Sequence, residues 1–355
     1  MNQTISNPRF PAEWEYPSAI FMAAPDCFTD WDYCLEEAQD QFRRLVAAFT
    51  GAGEKVVLLC KDPAEAAMLY PASGEDEIAY IAIPYNDTWT RDYMMITTES
   101  DAGLVLNDFG FNAWGLKFAA DRDNLVNRRL ASAGVFKGRC RNLCSFILEG
   151  GSVETDGKGV LLTTSECLLS PNRNPSFSKE EIGKYLEDAL SIKKILWLDH
   201  GFLAGDDTDS HIDTLARLCP DSRIVYTSCT DTSDMHFGSL SKMERQLREL
   251  TGSEGQTFEC IPLPLPDAIF DEDGERLPAT YANYLVTDRN LFLPVYSQPE
   301  NDSEAVRTMR RVFPGKNIIT VECSTLLRQH GSLHCSTMQI PLNAINPEIW
   351  HQKEL

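Results

Sequence analysis

Apolar positions recur every three or four residues in five stretches: "DYCLEEAQDQFRRLVAAFTGAG" (Asp32–Gly53), "DNLVNRRLASAG", "SKEEIGKYLEDAL", "SLSKMERQLRELTG" and "SEAVRTMRRVF". That spacing predicts five amphipathic helices. Several open on Ser or Asp as N-caps, and the first and fourth close near glycine. Short apolar runs alternate with them: "KVVLLC", "IAYIAIPY", "KKILWLD", "TFECIPLPLP" and "NIITVEC" read as buried strands. A third pattern sets two β-prone arms around a Thr/Asp/Gly/Pro-type turn. It predicts hairpins at "MITTESDAGLVLND", "SVETDGKGVLLTT", "LARLCPDSRIVYTS" and "YLVTDRNLFLPVY", with the terminal "SLHCSTMQIP" as a fifth, abbreviated copy. Five helix-plus-strand modules in 355 residues are roughly 70 residues each. A unit that small needs neighbours to complete its core, so the repetition predicts an α/β fold with a radial arrangement. No linker, charge block or proline-rich hinge interrupts it, and residues 1–355 read as a single domain.

Composition narrows the function. Acids outnumber bases 53 to 32, a formal charge of −21. Nucleic-acid affinity rests on Lys and Arg neutralising phosphates, so a nucleic-acid partner is not expected. The same surplus helps attract small cations. The N-terminus has no basic region followed by an apolar one, and no apolar run reaches the roughly 18 residues of a membrane span. Eleven scattered cysteines, many in apolar settings such as "VVLLC" and "LARLC", suit reduced thiols in a cytoplasmic protein. Asn2, Asn86 and Asn301 open glycosylation sequons by letter only. A homo-oligomer is compatible with all of this.

Several motifs fail on inspection. "GGSVETDGKG" has the wrong spacing for a phosphate loop and no Ser/Thr after Lys158. "GAG" at Gly51 lacks a third glycine and precedes a strand. As a calcium loop, "GDDTDSHID" (Gly205–Asp213) has Ile212 where glycine is required and Leu218 where a bidentate Glu is required. No zinc-type Cys or His spacing exists. Four stretches remain: "NDTWTRD", "LEGGS", "GDDTDSHID" and "HGSLHCSTMQIP". If "HIDTLARL" is a strand, His211 and Asp213 project from one face. His334 and Cys335, as strand neighbours, would then point oppositely, making His334 a poor base for the adjacent thiol. His211 is the better partner, in the general form of a thiol activated by a distant histidine.

The chain resembles the agmatine deiminase family and the related bacterial-type peptidylarginine deiminases, within the guanidine-modifying superfamily. "PAEWE", "WTRD", "EGGSVETDGKGVLLTTSECLLSPNRNP", "GDDTDSHID" and "LHCSTMQIP" occur in the family's order and spacing. Two departures bear on substrate preference. Tyr93-Met94-Met95 replaces the family's x-Gly-Pro, and the run His330–Leu333 is poorer in glycine than usual. The resemblance implies a five-bladed pseudosymmetric α/β propeller (pentein), with Cys335 as nucleophile and His211 as general acid/base. It implies Asp92 and Asp213 as guanidinium-binding carboxylates, and Glu149 as an acid beside the histidine. It requires no metal or organic cofactor.

Carboxylates match a guanidinium's planar fork of donors with paired, charge-assisted hydrogen bonds. The expected partner is therefore a small cationic guanidine. Agmatine, with the product N-carbamoylputrescine, is preferred over arginine in peptides, and free arginine is less favoured because its carboxylate lacks an obvious basic partner. A metal-dependent hydrolase using Asp206, Asp207, Asp209, His211 and Asp213 is the rival from another class. Trp89 is placed either against the substrate or in the core. Asp206 and Asp207 either hold a distal amine or cap their turn. "NRNP" (Asn172–Pro175) reads as a turn, and the remaining cysteines and histidines as packing or surface.

Overall fold

The computed structural model describes residues 8–72, 77–101 and 103–351. The first seven residues, with the Asn2 sequon and the start of the leader reading, lie outside that range. Among the described residues no helix is long and apolar enough to cross a membrane.

Among the described residues sixteen strands form five separate sheets. The first contains β1 (Ser18–Ala23), β2 (Lys55–Cys60) and β3 (Ile78–Ala82). The second contains β4 (Ile96–Ser100), β5 (Gly103–Gly110) and β6 (Arg139–Ile147). The third contains β7 (Val153–Thr155), β8 (Val160–Thr164) and β9 (Lys194–Leu198). The fourth contains β10 (Ala216–Cys219), β11 (Arg223–Ser228) and β12 (Glu259–Pro264). The fifth contains β13 (Leu285–Val286), β14 (Asn290–Val295) and β15 (Asn317–Glu322). The last strand, β16 (Met338–Pro341), returns to pair antiparallel with β1.

One wiring serves all five. A short first arm pairs antiparallel with a central strand, and a helical crossover leads to a third strand parallel to the centre. In the first sheet the arm is β16, supplied from the other end of the chain, with β2 parallel to β1. The segment "SLHCSTMQIP" is therefore half a hairpin whose second strand lies at the N-terminus.

Local sequence explains the elements. Helix Leu35–Gly51 buries Ala38, Phe42, Leu45, Val46 and Phe49, one stripe at three- and four-residue spacing. Helix Lys179–Leu190 starts at a full capping box, Ser178 with Glu181. The β10–β11 turn places Asp221 and Ser222 at φ of 61° and 57°, the two left-handed residues a tight hairpin needs. Central strands are buried at nearly every position, as strands covered on both faces must be.

Candidate active site

The site residues share one topological position: each lies just before the first arm of a sheet. Asp92 is in the helical turn Thr90–Tyr93, ahead of β4. Glu149 caps the turn Gly150–Ser152, ahead of β7. His211 caps Ile212–Leu215, which carries Asp213, ahead of β10. Asn283 precedes β13 and Cys335 precedes β16. The strand expected at "HIDTLARL" begins only at Ala216. His211 and Asp213 reach the same place from a helical turn rather than from alternate strand positions.

Gly151 marks the meeting point. A Cβ there would lie 2.7 Å from His211 Nδ1, 2.8 Å from Asp92 Oδ1 and 3.0 Å from Asp213 Oδ2. Only glycine lets these three groups approach so closely. Asp92 is fixed by hydrogen bonds from Trp114 Nε1 to Oδ2 and from the Gly151 amide to Oδ1, both 2.9 Å. Trp114 reaches it from a left-handed segment, Ala113–Leu116, that no sequence pattern foretold. Asp213 Oδ2 accepts from His334 Nδ1 at 2.7 Å. Its Oδ1 is buried without a partner, as are both ring nitrogens of His211.

His211 Nδ1 stands 3.7 Å from Asp92 Oδ1, and Nε2 stands 3.9 Å from Glu149 Oε2. Burial opposes a charge on the ring, but the Asp92 carboxylate and its other neighbours raise the histidine well above its ordinary range. Burial also pushes Glu149 up, yet His211 and Arg173 together hold it below the usual carboxylate range. Arg173 Nε sits 3.0 and 2.9 Å from the two Glu149 oxygens, and its Nη1 pairs with Asp209 at 2.5 Å. The "NRNP" segment, expected to be merely a turn, thus supplies a fully buried cation beneath the site.

The Cys335 sulfur contacts Asn283 Nδ2 at 3.2 Å and Asp213 Oδ2 at 3.8 Å. It makes no hydrogen bond to His211. Burial, with Asp213 and Asp92 alongside, raises the thiol well above its ordinary range.

A cleft of about 170 Å³ opens onto Cys335 and Asp92, walled by Trp89 and Trp114. Its titratable lining includes Asp30, Asp87, Asp92, Asp123, Asp206 and Asp207, with His330; among the described residues neither Lys nor Arg lines it. Trp89 also packs on Trp31 with ring centroids 5.9 Å apart, so it serves wall and core together. Asp206 caps its own turn, accepting from Thr208 Oγ1 and the Ser210 amide, both at 2.6 Å. Burial and then Asp206 push Asp207 up to about 6, and His330 and Lys117 oppose this.

The acids of "GDDTDSHID" do not gather around one point. Asp206 caps, Asp207 faces the cleft, Asp209 bridges Lys117 and Arg173, and Asp213 stands at the floor. Among the described residues, one group has metal-ligand character: Glu149, Cys167 and His211, with donor atoms within 4.8 Å of one another. The Arg173 guanidinium already occupies Glu149, so a cation there would face a second cation. Asn283, Arg173, Trp114 and His334 are the participants that sequence reasoning missed. Asn283 was findable, because it holds the position before a first arm that the other site residues hold.

A family model described as Porphyromonas-type peptidyl-arginine deiminase matches residues 9–341. A curated protein of Marinomonas sp. (strain MWYL1), provisionally named agmatine deiminase, is 32% identical across 94% of each chain. A crystal structure from Porphyromonas gingivalis, provisionally named arginine deiminase, is 41% identical with a TM-score of 0.91, covering 96% of this chain and 100% of that one. The C. jejuni agmatine deiminase with substrate bound is 34% identical with a TM-score of 0.87, covering 96% of this chain and 98% of the other. By the span of the family match and the extent of these similarities, the chain belongs to the Porphyromonas-type peptidyl-arginine deiminase family.

Proposed function

We propose that the protein is an agmatine deiminase, hydrolysing agmatine to N-carbamoylputrescine and ammonia. We read its five sheets as blades of a propeller, in one catalytic domain, with the site where their first arms begin. The observation that carries the substrate assignment is the cleft lining, six aspartates without a lysine or arginine. Agmatine is cationic at both ends and suits such walls. The carboxylate of free arginine would find no basic partner among them. Arginine in a peptide is the second reading, favoured by the description of the matching family model.

The floor supplies the chemistry. Asp92 and the open Oδ1 of Asp213 grip the guanidinium nitrogens and hold the central carbon for attack. The bound cation offsets the two carboxylates that keep the thiol protonated, so Cys335 releases its proton to solvent as substrate arrives and regains one after product leaves. Sulfur then adds to the carbon, and His211 gives its proton to the departing nitrogen, which leaves as ammonia. The C–N bond breaks and an amidino-thioester cation remains on sulfur. Neutral His211 next takes a proton from water as the oxygen attacks. The C–S bond breaks, thiolate is restored, and the ureido product leaves. One proton is shed with it and converts ammonia to ammonium.

Parallel assays with agmatine, arginine and an arginine-containing peptide, reading ammonia and ureido product, test the assignment. The expected order places agmatine first. Turnover of the peptide alone would select the second reading, and inactivity of folded protein on all three would reject both.

A further inference from the structure

A second, largely buried cluster lies behind the cleft floor, and Glu13 of "PAEWE", itself part-buried, supplies its centre. The Glu13 carboxylate accepts from His334 Nε2 at 2.8 Å, Arg91 Nη1 at 2.9 Å, Arg217 Nη2 at 2.9 Å and Gln339 Nε2 at 3.1 Å. Arg217 Nε also meets Glu154 at 2.6 Å. Glu154, Arg217 and Gln339 are each the second residue of a first arm. His334, 1% exposed, spans the gap between this cluster and the cleft floor. Its Nδ1 reaches Asp213 and its Nε2 reaches Glu13. Its backbone is fixed as well, the amide donating to Asn283 Oδ1 at 2.9 Å and the carbonyl accepting from Arg91 Nε at 3.4 Å.

The ring's charge follows from counting donors. A carboxylate can only accept, so an imidazole with a carboxylate oxygen at each nitrogen carries hydrogen on both. Around it, Arg91, Arg217 and His334 pair with Glu13, Glu154 and Asp213. Burial alone would raise Glu13, but His334, Arg91 and Arg217 hold it well below the carboxylate range. Asp213 is likewise held down, against burial, by His334, His211 and Arg217.

We propose that His334 is a positioning residue for deimination, a buried imidazolium that anchors Asp213 by Oδ2 and thereby presents Oδ1 to the guanidinium. Glu13 fixes the far side of the ring. A neutral ring would turn a lone pair towards one carboxylate and push it away. The cation also offsets the negative charge that gathers when Cys335 ionises 3.8 Å from Asp213. This inference rests on the deiminase reading above.

The test combines ¹⁵N NMR of the histidine-labelled full chain near neutral pH with steady-state kinetics of His334→Gln. The expected spectrum contains a ring with both nitrogens protonated that disappears in H334Q. The expected kinetic change is a rise in KM of about tenfold to a hundredfold, the loss of a charge-assisted contact, with a smaller change in kcat. A neutral ring at position 334, or a native KM in folded H334Q, would overturn the proposal. If H334Q does not fold, Glu13→Gln keeps the ring, removes one acceptor charge, and identifies the same signal by displacing it. An unmoved spectrum in E13Q also counts against the proposal. The ring state needs no substrate, so a wrong choice of guanidine would appear as inactive wild-type protein, separate from either result.

Discussion

The cleft floor and the cluster behind it are built from adjacent residues of the same segments, yet they differ in one respect. Asp92 faces the cleft while Arg91 pairs with Glu13; Cys335 faces Asn283 while His334 reaches back. Behind the floor, Glu13, Arg91, Glu154, Arg217 and His334 each have charged partners. At the floor, three buried polar atoms of His211 and Asp213 have no hydrogen-bond partner. An orphaned buried polar atom costs about 1–3 kcal/mol. Such a cost is tolerated where a ligand completes the set. Satisfied charge marks the scaffold, and unsatisfied charge marks the site.

The largest effect expected from breaking this contrast is on activity. Asp213→Asn removes half of the proposed guanidinium clamp and the contact that His334 makes to Oδ2, and should lower kcat/KM about 10³-fold, near 4 kcal/mol. Melting should change far less than turnover. A D213N enzyme of near-native kcat/KM would show that the open Oδ1 is not reserved for substrate.

Behind the floor the same type of change should strike stability instead. Arg217→Met leaves buried Glu154 and part-buried Glu13 with their shared cation gone, at a cost of about 3–5 kcal/mol in denaturant unfolding. The exposed Arg43–Asp40 pair is the control, and Arg43→Ala should cost below about 1 kcal/mol. Equal losses for the two variants would mean that the rear cluster contributes no more than a surface pair.

The smallest effect is a pH dependence. Burial pushes Asp87 up to about 7 and Asp123 up to about 8. The folded chain thus keeps protons that the unfolded chain releases near pH 4. Stability of the free protein should fall as pH rises from about 4 towards 8. A dication in the cleft reverses part of this loss. Agmatine should therefore raise the melting temperature of Cys335→Ser more at pH 8 than at pH 6, read by calorimetry. An equal or smaller shift at pH 8 would remove these carboxylates from the substrate's surroundings.

Much of the fold was legible in the chain. Four hairpins and five crossover helices follow from periodicity and turn residues. Strand β6 was not legible, because "RCRNLCSFI" is solvated along most of its length and has no apolar run. Strand β1 was missed although "SAIFMA", buried at every position, is an apolar run of the kind read as strands elsewhere. In the site, Cys335, His211 and the aspartates could be singled out because their motifs match the family's, the residue types alone being weak signals. Arg173, Asn283 and His334 were not, since a buried cation, an amide and a histidine look the same in sequence whether they serve a turn, the core or a substrate. Only contacts separate those cases. His334 had even been set aside on the premise of a strand, where the chain instead forms a turn that lets His334 and Cys335 serve different sides.

The central claim is a covalent bond between Cys335 and the guanidinium carbon. Acid quenching of the enzyme during agmatine turnover, followed by peptide mass mapping, tests it directly. The account predicts a mass increase of agmatine less ammonia on the peptide containing Cys335. That increase should be absent from Cys335→Ser, which should be folded and slower by on the order of 10⁴-fold or more. The same mass on another residue, or substantial turnover in C335S, would contradict it.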